Sequence, residues 1–302
     1  MSKQEVILCE SLETSLGRAI ERCPHDKLFI LTDEHTQRLC LPSLKEVSFL
    51  KDAVEINIGA EDVHKTLETL ASVWMALSQQ GATRHSLLIN LGGGMVTDLG
   101  GFAAATFKRG IAYINIPSGY AEMLKHGLIS NTAHWVELLD FDTDNIDYAA
   151  LKDMVGRSVQ VKEDIVEQDP FEHGIRKALN LGHTAGHAFE SLALAENRPV
   201  LHGYAVAWGI VCELYLSHLK AGFPKDKMRQ TIQFIKENYG SFAFDCKQYE
   251  QLYAFMQHDK KNTSGMVNFT LLKEIGDICI NQTADKDTIF EMLDFYRECM
   301  GV

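Results

Sequence analysis

The sequence lacks the cysteine spacings and the long apolar runs that mark several large classes of protein. Its seven cysteines are scattered, and no Cys-x-x-Cys pair occurs among them. This pattern indicates neither a disulfide framework nor a thiolate zinc site, so we interpret the cysteines as buried or incidental thiols. No stretch approaches the roughly 20 consecutive apolar residues that are needed to cross a bilayer, so we expect no membrane span.

Positive charge is also scarce. The chain has 29 Lys and Arg against 41 Asp and Glu, a net charge of −12, which argues against nucleic acid as a general partner. An anionic small substrate is still compatible with this charge, because a pocket can be locally basic. The opening MSKQEVILCE has no basic segment followed by an apolar run, so we expect no signal peptide and a cytoplasmic protein.

The 302 residues, of which 46% are hydrophobic, are enough for two globular domains. Short apolar segments at 28–32, 53–58, 86–91 and 111–116 alternate with helical patterns, which predicts βαβ units and a parallel sheet. After residue 119 long helical patterns dominate, with one hairpin-like element at 266–272. The sequence therefore predicts an α/β, Rossmann-like nucleotide-binding domain over 1–118 and an all-α metal and substrate domain over 119–302.

A glycine-rich turn follows the third apolar segment. Gly92, Gly93 and Gly94 precede a helical pattern that carries Asp98. In that context backbone N–H groups can face a pyrophosphate, and glycine allows close approach. The spacing differs from the G-x-G-x-x-G fingerprint, and a plain tight turn is the alternative. Asp33, at the end of an earlier strand, is placed to accept bonds from ribose hydroxyls or to cap the next helix.

A group of histidines gives the strongest chemical signal. His183 and His187 are four residues apart on a helical stretch, so both project from one face. His202 begins the next helical stretch, and Glu122 lies on an earlier one. Imidazole and carboxylate together suit a catalytic Zn²⁺ with an open position, although each histidine alone could be an ordinary core or surface residue. Glu190 is either a hydrogen-bond partner of these metal-binding residues that does not itself bind the metal, or the partner of a basic residue on the surface.

Six motifs, in order along the chain, resemble those of the 3-dehydroquinate synthases. They read GGGMVTDLGGF (92–102), AATFKRG (104–110), AEMLKHGLI (121–129), IRKALNLGHTAGHAFE (175–190), LHGYAVAWG (201–209) and HDKKNTSGMVNFTLL (258–272). The resemblance implies an enzyme that converts 3-deoxy-D-arabino-heptulosonate 7-phosphate to 3-dehydroquinate and phosphate, in the shikimate route to aromatic amino acids. It also implies NAD as a catalytic cofactor and Zn²⁺ or Co²⁺ as the metal.

The same resemblance implies a role for individual residues. It makes Glu122, His183 and His202 the metal ligands and places His187 beside the metal, in substrate binding and proton transfer. The substrate pocket would be lined by Lys125, Lys162, Arg176, Asn180 and one of Lys260 and Lys261. NAD would be contacted by Asp33, Asp62, Lys65, Gly92, Gly93, Gly94 and Asp98. Arg109 would reach the substrate phosphate of a neighbouring subunit, which implies a homodimer. Taken alone, the lysines and arginines would be interpreted as solvated surface residues.

The sequence departs from the family pattern at one point. Pro117 is followed directly by Ser118, where the family normally has several dozen residues. That segment carries two threonines near the nicotinamide, a Gly-Gly-Lys-Thr-Gly stretch and a Gly-Lys-Asn stretch. Either the printed sequence omits a segment of the natural protein, or the protein truly lacks it. We favour the omission, because the flanking catalytic residues would have little use without the missing lysines.

Other functions are compatible with parts of the pattern. One is another sugar phosphate cyclase, such as a 2-deoxy-scyllo-inosose or valiolone-type synthase, and a second is an iron-type polyol dehydrogenase. A true loss of the segment would instead favour a non-catalytic NAD- or metal-binding protein. The retained His187 and the ALNLGHT stretch favour 3-dehydroquinate synthase among these.

Overall fold

The structure is a computed structural model that describes residues 5, 7, 11–60, 64–117, 121–142, 145, 147–257 and 266–302. Asp62, Lys260 and Lys261, which the sequence places near the ligands, lie outside the described residues. The chain divides into two compact units, Met1–Gly119 and Tyr120–Val302. Among the described helices, none has both the length and the apolar character to cross a membrane.

In its described part, the first unit is built on a parallel sheet of four strands. These are β1 (Leu28–Asp33), β2 (Val54–Ile58), β3 (Leu87–Gly92) and β4 (Ala112–Pro117). Their order is β2-β1-β3-β4, and every neighbouring pair is parallel. All six residues of β3 are buried, as is typical of a parallel strand that is covered on both faces.

Among the described residues, five α-helices accompany this sheet. They are α1 (Leu12–Glu21), α2 (Glu34–Leu39), α3 (Leu41–Lys45), α4 (Leu67–Gln79) and α5 (Gly94–Thr106). Phe29 and Leu31 of β1 pack with α4 and α5, whereas Leu28 and Ile30 pack with α1 and α3. Because alternate side chains of a strand point to opposite faces, the sheet has an apolar core on each side. This is the α/β layer arrangement that the strand pattern predicts.

The second unit is mostly helical. Its helices are α6 (Ala121–Ser130), α7 (Thr132–Leu139), α8 (Tyr148–Gln168), α9 (His183–Ala195), α10 (His202–Ala221), α11 (Lys225–Tyr239), α12 (Tyr249–Gln257) and α13 (Lys286–Met300). An antiparallel hairpin of β5 (Val267–Glu274) and β6 (Asp277–Ala284) completes it. Helix α10 lies at the centre, since twelve of its residues are buried.

The α/β class and the helical second half are as predicted, but three details differ. The second unit is not all-α, because the apolar segment predicted at 266–272 pairs with β6. The predicted helix over 119–138 is two helices, because the Asn131 side chain accepts a hydrogen bond from His134 N at 2.9 Å and starts α7 there. The predicted helix over 180–195 begins only at His183, after a 3-10 turn over Ile175–Asn180. The six described cysteines are all unpaired.

Candidate metal and cofactor sites

Three imidazoles converge in the second unit on the paired helices α9 and α10. His183 is the first residue of α9, His187 lies one turn later, and His202 is the first residue of α10. The ring of His183 lies 5.4 Å from each of the other two rings, and those of His187 and His202 are 5.8 Å apart. The rings therefore form a nearly equilateral triangle.

Glu122 joins this triangle from the first turn of α6. One ligand atom from each of Glu122, His183 and His202 lies within 4.8 Å of the other two. Glu122 Oε1 lies 4.0 Å from His183 Nε2. Two imidazoles and one carboxylate form a donor set that suits a catalytic divalent metal, since they leave a fourth position open. The three residues that the sequence proposes as ligands are thus brought together.

Lys125 is held against the carboxylate of Glu122. Its side chain is only 2% exposed, and its Nζ lies 2.9 Å from Glu122 Oε2. Burial by itself raises the pKa of Glu122, but the charge and hydrogen bond of Lys125 outweigh it and lower that pKa to about 2. Lys162 adds a weaker effect in the same direction. The carboxylate is therefore ionised at neutral pH, as a metal ligand must be.

His126 is a residue of this site that the sequence reasoning missed. Its side chain is buried, with Nε2 3.8 Å from Glu122 Oε2. Burial, together with the charge of Lys125, lowers the pKa of His126 to about 3, so its ring is neutral. Its position four residues after Glu122 was a usable signal, because residues at that spacing share a helix face.

Glu190 orients His202. The Nδ1 of His202 donates to Glu190 Oε1 at 3.0 Å, so Nε2 is the unprotonated nitrogen of the ring. A carboxylate that holds the second ring nitrogen is the usual support of a metal-binding histidine. His187, Glu190 and His202 also form a set of closely spaced donors. In that set, however, a Glu190 oxygen already accepts the hydrogen bond from His202. This favours a Glu190 that orients His202 over a Glu190 that pairs with a basic residue on the surface.

Arg176 and Asn180 lie on the 3-10 turn that leads into α9. Asn180 Nδ2 donates to Glu172 Oε1 at 2.6 Å, and Arg176 Nη1 donates to the carbonyl of Pro170 at 2.6 Å. The turn is anchored by Asp169, whose carboxylate accepts from the backbone N–H groups of His173, Gly174 and Arg176. Burial raises the pKa of Asp169, but these three bonds lower it below its ordinary value.

The glycine turn of the first unit lies at the strand-order reversal of the sheet. β1 and β3 are neighbours, with β2 beyond one and β4 beyond the other, so the chain order reverses between them. Open α/β sheets bind ligands outside the carboxyl ends of the strands at such a point. β1 ends at Asp33 and β3 at Gly92, so both predicted features lie there.

The three glycines differ in what they do. A Cβ on Gly92 would lie 2.6 Å from the Val96 side chain, so this glycine allows close packing of β3 and α5. A Cβ on Gly94 would meet nothing within 4 Å, so that position faces open space. Gly93 precedes α5 and has no side chain with which to cap it. The first amides of α5 therefore need acceptors from elsewhere, such as a phosphate.

Asp33, Lys65 and Asp98 already have partners in the first unit. Asp33 Oδ1 accepts from Thr36 N at 2.7 Å and caps α2, which is the alternative that the sequence left open. Thr36 Oγ1 in turn donates to the carbonyl of Leu91 at 2.9 Å and joins the ends of β1 and β3. Lys65 Nζ lies 2.8 Å from Asp98 Oδ2, so two proposed NAD contacts form an ion pair.

Arg109 lies in a strained turn of the first unit. Lys108 and Arg109 have φ values of 48° and 76°, in the left-handed region that favours glycine. Lys108 Nζ donates to the carbonyl of Ala82 at 2.6 Å, which holds the turn in place. Thr83, Arg84, Lys108 and Arg109 line one surface recess. Two arginines in such a recess form a locally basic surface on an acidic protein.

Comparison with known proteins gives matches along the whole chain. The family described as 3-dehydroquinate synthase N-terminal matches residues 55–131, and the family described as 3-dehydroquinate synthase C-terminal matches residues 119–262. The chain is 46% identical to the 3-dehydroquinate synthase of Parabacteroides distasonis, with 100% of both chains covered. It is 31% identical to that of Oceanobacillus iheyensis, with 99% of this chain and 96% of the relative covered.

Solved structures share the fold at low identity. The 2-epi-5-epi-valiolone synthase of Streptomyces hygroscopicus, with NAD⁺ and Zn²⁺ bound, matches with a TM-score of 0.77 at 19% identity, over 99% of this chain and 97% of that one. A 2-deoxy-scyllo-inosose synthase, complexed with carbaglucose-6-phosphate, NAD⁺ and Co²⁺, matches with a TM-score of 0.73 at 18% identity, over 98% and 99%. An iron-containing alcohol dehydrogenase of Thermotoga maritima gives 0.59 at 11% identity, over 99% of each chain.

The alignment with the Parabacteroides protein is longer than this chain. It spans 353 positions and covers all 302 residues, so 353 − 302 = 51 of its positions hold no residue of this chain. This number agrees in size with the several dozen residues that the family pattern has between Pro117 and Ser118. Because the identity of 46% extends over the full length of both proteins, the chain belongs to the 3-dehydroquinate synthase family.

Proposed function

We propose that this chain is a 3-dehydroquinate synthase, an NAD- and metal-dependent lyase that releases phosphate and closes a carbocycle. Its substrate would be 3-deoxy-D-arabino-heptulosonate 7-phosphate and its product 3-dehydroquinate, in the shikimate pathway of the cytoplasm. The observation that carries the proposal is the convergence of Glu122, His183 and His202 within 4.8 Å, in a chain 46% identical to such an enzyme. The three donors come from three different helices, α6, α9 and α10, and each lies in the first turn of its helix.

Glu122, His183 and His202 would hold Zn²⁺ or Co²⁺, which supplies a Lewis acid for a substrate hydroxyl. Glu190 holds the His202 ring through its 3.0 Å bond to Nδ1, so that Nε2 would be the metal-binding nitrogen. Lys125 keeps Glu122 ionised. As a buried cation beside the ligand set, Lys125 also provides a charge-assisted donor for an anionic substrate oxygen.

His187 and Asn180 are suited to proton handling. The His187 ring lies 5.4 Å from that of His183 and 5.8 Å from that of His202, so it lies beside the donor set. From there it can hold a substrate oxygen or exchange a proton with it. Asn180, Arg176 and Lys162 would bind the polar groups of the substrate, as would one of Lys260 and Lys261.

NAD⁺ would supply the hydride acceptor, and the returned hydride makes the overall reaction redox-neutral. The first amides of α5 offer donors for a pyrophosphate where Gly94 faces open space. Asp33 ends β1, and Asp98 lies on α5, where it forms an ion pair with Lys65. These three residues would contact the rest of the cofactor together with Asp62. Asp33 would do so in addition to capping α2.

Arg109 is the residue from which we infer a homodimer. The family pattern assigns this arginine to the substrate phosphate of a neighbouring subunit, and its bidentate guanidinium suits a phosphate. The φ of 76° at Arg109 is consistent with a conformation kept for binding, because such strain concentrates at functional positions.

A phosphate-release assay tests the proposal. The full chain, with NAD⁺ and Zn²⁺, should release phosphate from the heptulosonate phosphate, and a chelator should stop the release. NADH should not accumulate, whereas an iron-type polyol dehydrogenase would release NADH steadily. A protein that oxidises polyols with steady NADH formation, or releases phosphate equally well after chelation, would refute the proposal.

A second candidate is a non-catalytic relative that binds NAD and metal. The observation in its favour is the 51 alignment positions that this chain does not fill. The intact mass of the natural protein separates the two candidates. A mass near 33.9 kDa, together with bound zinc and no phosphate release, would establish the non-catalytic protein. A mass several kilodaltons larger would mean that the printed sequence omits the segment.

A further inference from the structure

Glu213 is a fully buried carboxylate that the proposed chemistry does not use. It lies near the middle of α10, and its side chain has no exposed surface. Its Oε2 accepts from the backbone N–H of Gly182 at 2.7 Å, and its Oε1 accepts from that of Thr184 at 3.0 Å. A third, longer bond of 3.4 Å runs from Ala185 N to Oε1. These amides form the start of α9.

We propose that Glu213 is a positioning residue for the metal ligand His183. The inference rests on the metal site of the proposed function. The residues on either side of His183, Gly182 and Thr184, both donate to the Glu213 carboxylate. The backbone of His183 is thereby held from both sides, and the direction of its side chain follows from its backbone.

The local sequence of α9 requires such a partner. Gly182 precedes the helix in the left-handed conformation, with φ 81°, and has no side chain that could cap it. Thr184 and Ala185 are buried, so water cannot replace the missing cap. A buried amide without an acceptor costs about 1–3 kcal/mol. A carboxylate at a helix start also interacts favourably with the helix dipole.

Glycines bring the two helices close enough for this contact. A Cβ on Gly209 would lie 1.9 Å from the carbonyl oxygen of Gly182, and one on Gly186 would lie 2.9 Å from that of Ala205. Glu213 follows Gly209 by one helical turn and therefore shares its face of α10. Since α10 also begins with His202, the contact joins both histidine ligands into one helix pair.

Glu213→Gln tests the role with little change in volume. The amide NH₂ of glutamine would face backbone N–H donors, and the negative charge at the helix start is lost. We expect the affinity for Co²⁺, titrated into metal-free full-length protein and followed by its visible absorption, to fall about 10- to 100-fold. Far-UV circular dichroism checks that the variant is folded.

Thr231→Val is the matched control. Thr231 is also fully buried, and its hydroxyl accepts from Trp135 Nε1 at 3.0 Å and donates to the Lys227 carbonyl at 2.9 Å, away from α9. This variant should be destabilised but should keep the Co²⁺ affinity of the wild type. Equal affinity of Glu213→Gln and the wild type would overturn the inference, as would an equal loss in both variants.

Hydrogen exchange decides the matter if Glu213→Gln does not fold. In the metal-free wild type the amides of Gly182 and Thr184 should exchange slowly, because both are bonded to Glu213. Rapid exchange at these two amides would overturn the inference. Wild-type protein that binds no Co²⁺ would refute the metal site itself, whereas wild-type binding with an unaffected variant refutes only the role of Glu213.

Discussion

At the scale of single residues, the candidate metal site depends on a charge pair of which Lys125 is buried and Glu122 is partly exposed. Lys125 is almost fully buried and would be unstable there without the carboxylate of Glu122. Conversely, Glu122 would have a raised pKa from burial without the lysine. Glu122 supplies the opposite charge that the buried Lys125 needs, and the pair presents an ionised carboxylate beside two imidazoles.

Replacement of His183 by alanine should abolish stoichiometric metal binding and turnover. The variant keeps only Glu122 and His202 of the proposed ligand set, and two protein ligands hold a divalent ion poorly. Metal analysis after dialysis measures the effect. His25→Ala is the control, because His25 is an exposed histidine of the first unit that bonds only to the Cys23 carbonyl among its described hydrogen bonds. One zinc per chain in the His183 variant would contradict the ligand assignment.

The Glu122–Lys125 pair should make the metal-free protein sensitive to acid. The pKa of Glu122 is lowered from 4.5 to about 2 in the folded protein. A group with a lowered folded pKa contributes stability that is present above its unfolded pKa and lost as the pH falls through the folded value. Urea unfolding of the wild type should therefore show a loss between about pH 5 and pH 2 that is smaller in Lys125→Met. Parallel profiles for the two proteins would contradict this explanation.

At the scale of elements, a 3-10 turn and the paired helices α9 and α10 position the functional side chains. Asp169 gathers three backbone amides and so fixes the start of the 3-10 turn over Ile175–Asn180. That turn carries Arg176 and Asn180 and leads directly to His183. α9 and α10 then run in opposite directions, because Gly182 faces Gly209 while Glu190 faces His202. Both histidine ligands come from helix starts in this arrangement.

Asp169→Asn should weaken substrate use more than it weakens the fold. Asparagine keeps one acceptor but turns an amide donor toward the N–H groups, so Arg176 and Asn180 shift. We expect kcat/KM to fall by up to about 100-fold, since a displacement of 1 Å can have that effect. Asp147→Asn is the control, because Asp147 caps α8 through Ala149 and Ala150 away from this turn. An equal effect of both variants on kcat/KM would contradict a special role for Asp169.

At the scale of the whole molecule, the chain divides its proposed tasks between two units. The candidate dinucleotide site belongs to Met1–Gly119, and the candidate metal site belongs to Tyr120–Val302. Arg109 belongs to the first unit, and its proposed partner is the site of a second copy. A dimer is therefore part of the proposed enzyme and not a secondary property of it.

Mixed dimers should complement each other. Arg109→Ala and His183→Ala are each expected to be inactive as pure dimers. In a mixed dimer the site with an intact His183 receives an intact Arg109 from the other chain, so one working site forms. Phosphate release should therefore reappear when the two variants are unfolded and refolded together. No activity in the mixture, with mixed dimers verified by mass, would contradict the role of Arg109 across subunits.

Much of the fold follows from the sequence because local physics decides it. Continuous apolar runs such as the one in β3 specify buried parallel strands. Side chains such as Asp33, Thr66 and Asp147 accept the first amides of α2, α4 and α8 and so mark where these helices begin. The spacing of His183 and His187 places them on one helix face, and the motifs identify the family. These features involve neighbours within a few residues, so the sequence alone determined them.

Only the tertiary structure decided which distant residues meet. That Lys125 is buried, that Glu122 lies beside His183, and that Glu190 holds His202 all depend on how α6, α9 and α10 pack. The cap of α9 by Glu213 has no local signal either, because it replaces a local capping side chain with a carboxylate from another helix. Burial and long-range hydrogen bonding set these roles, and both arise only when separate elements close around a shared core.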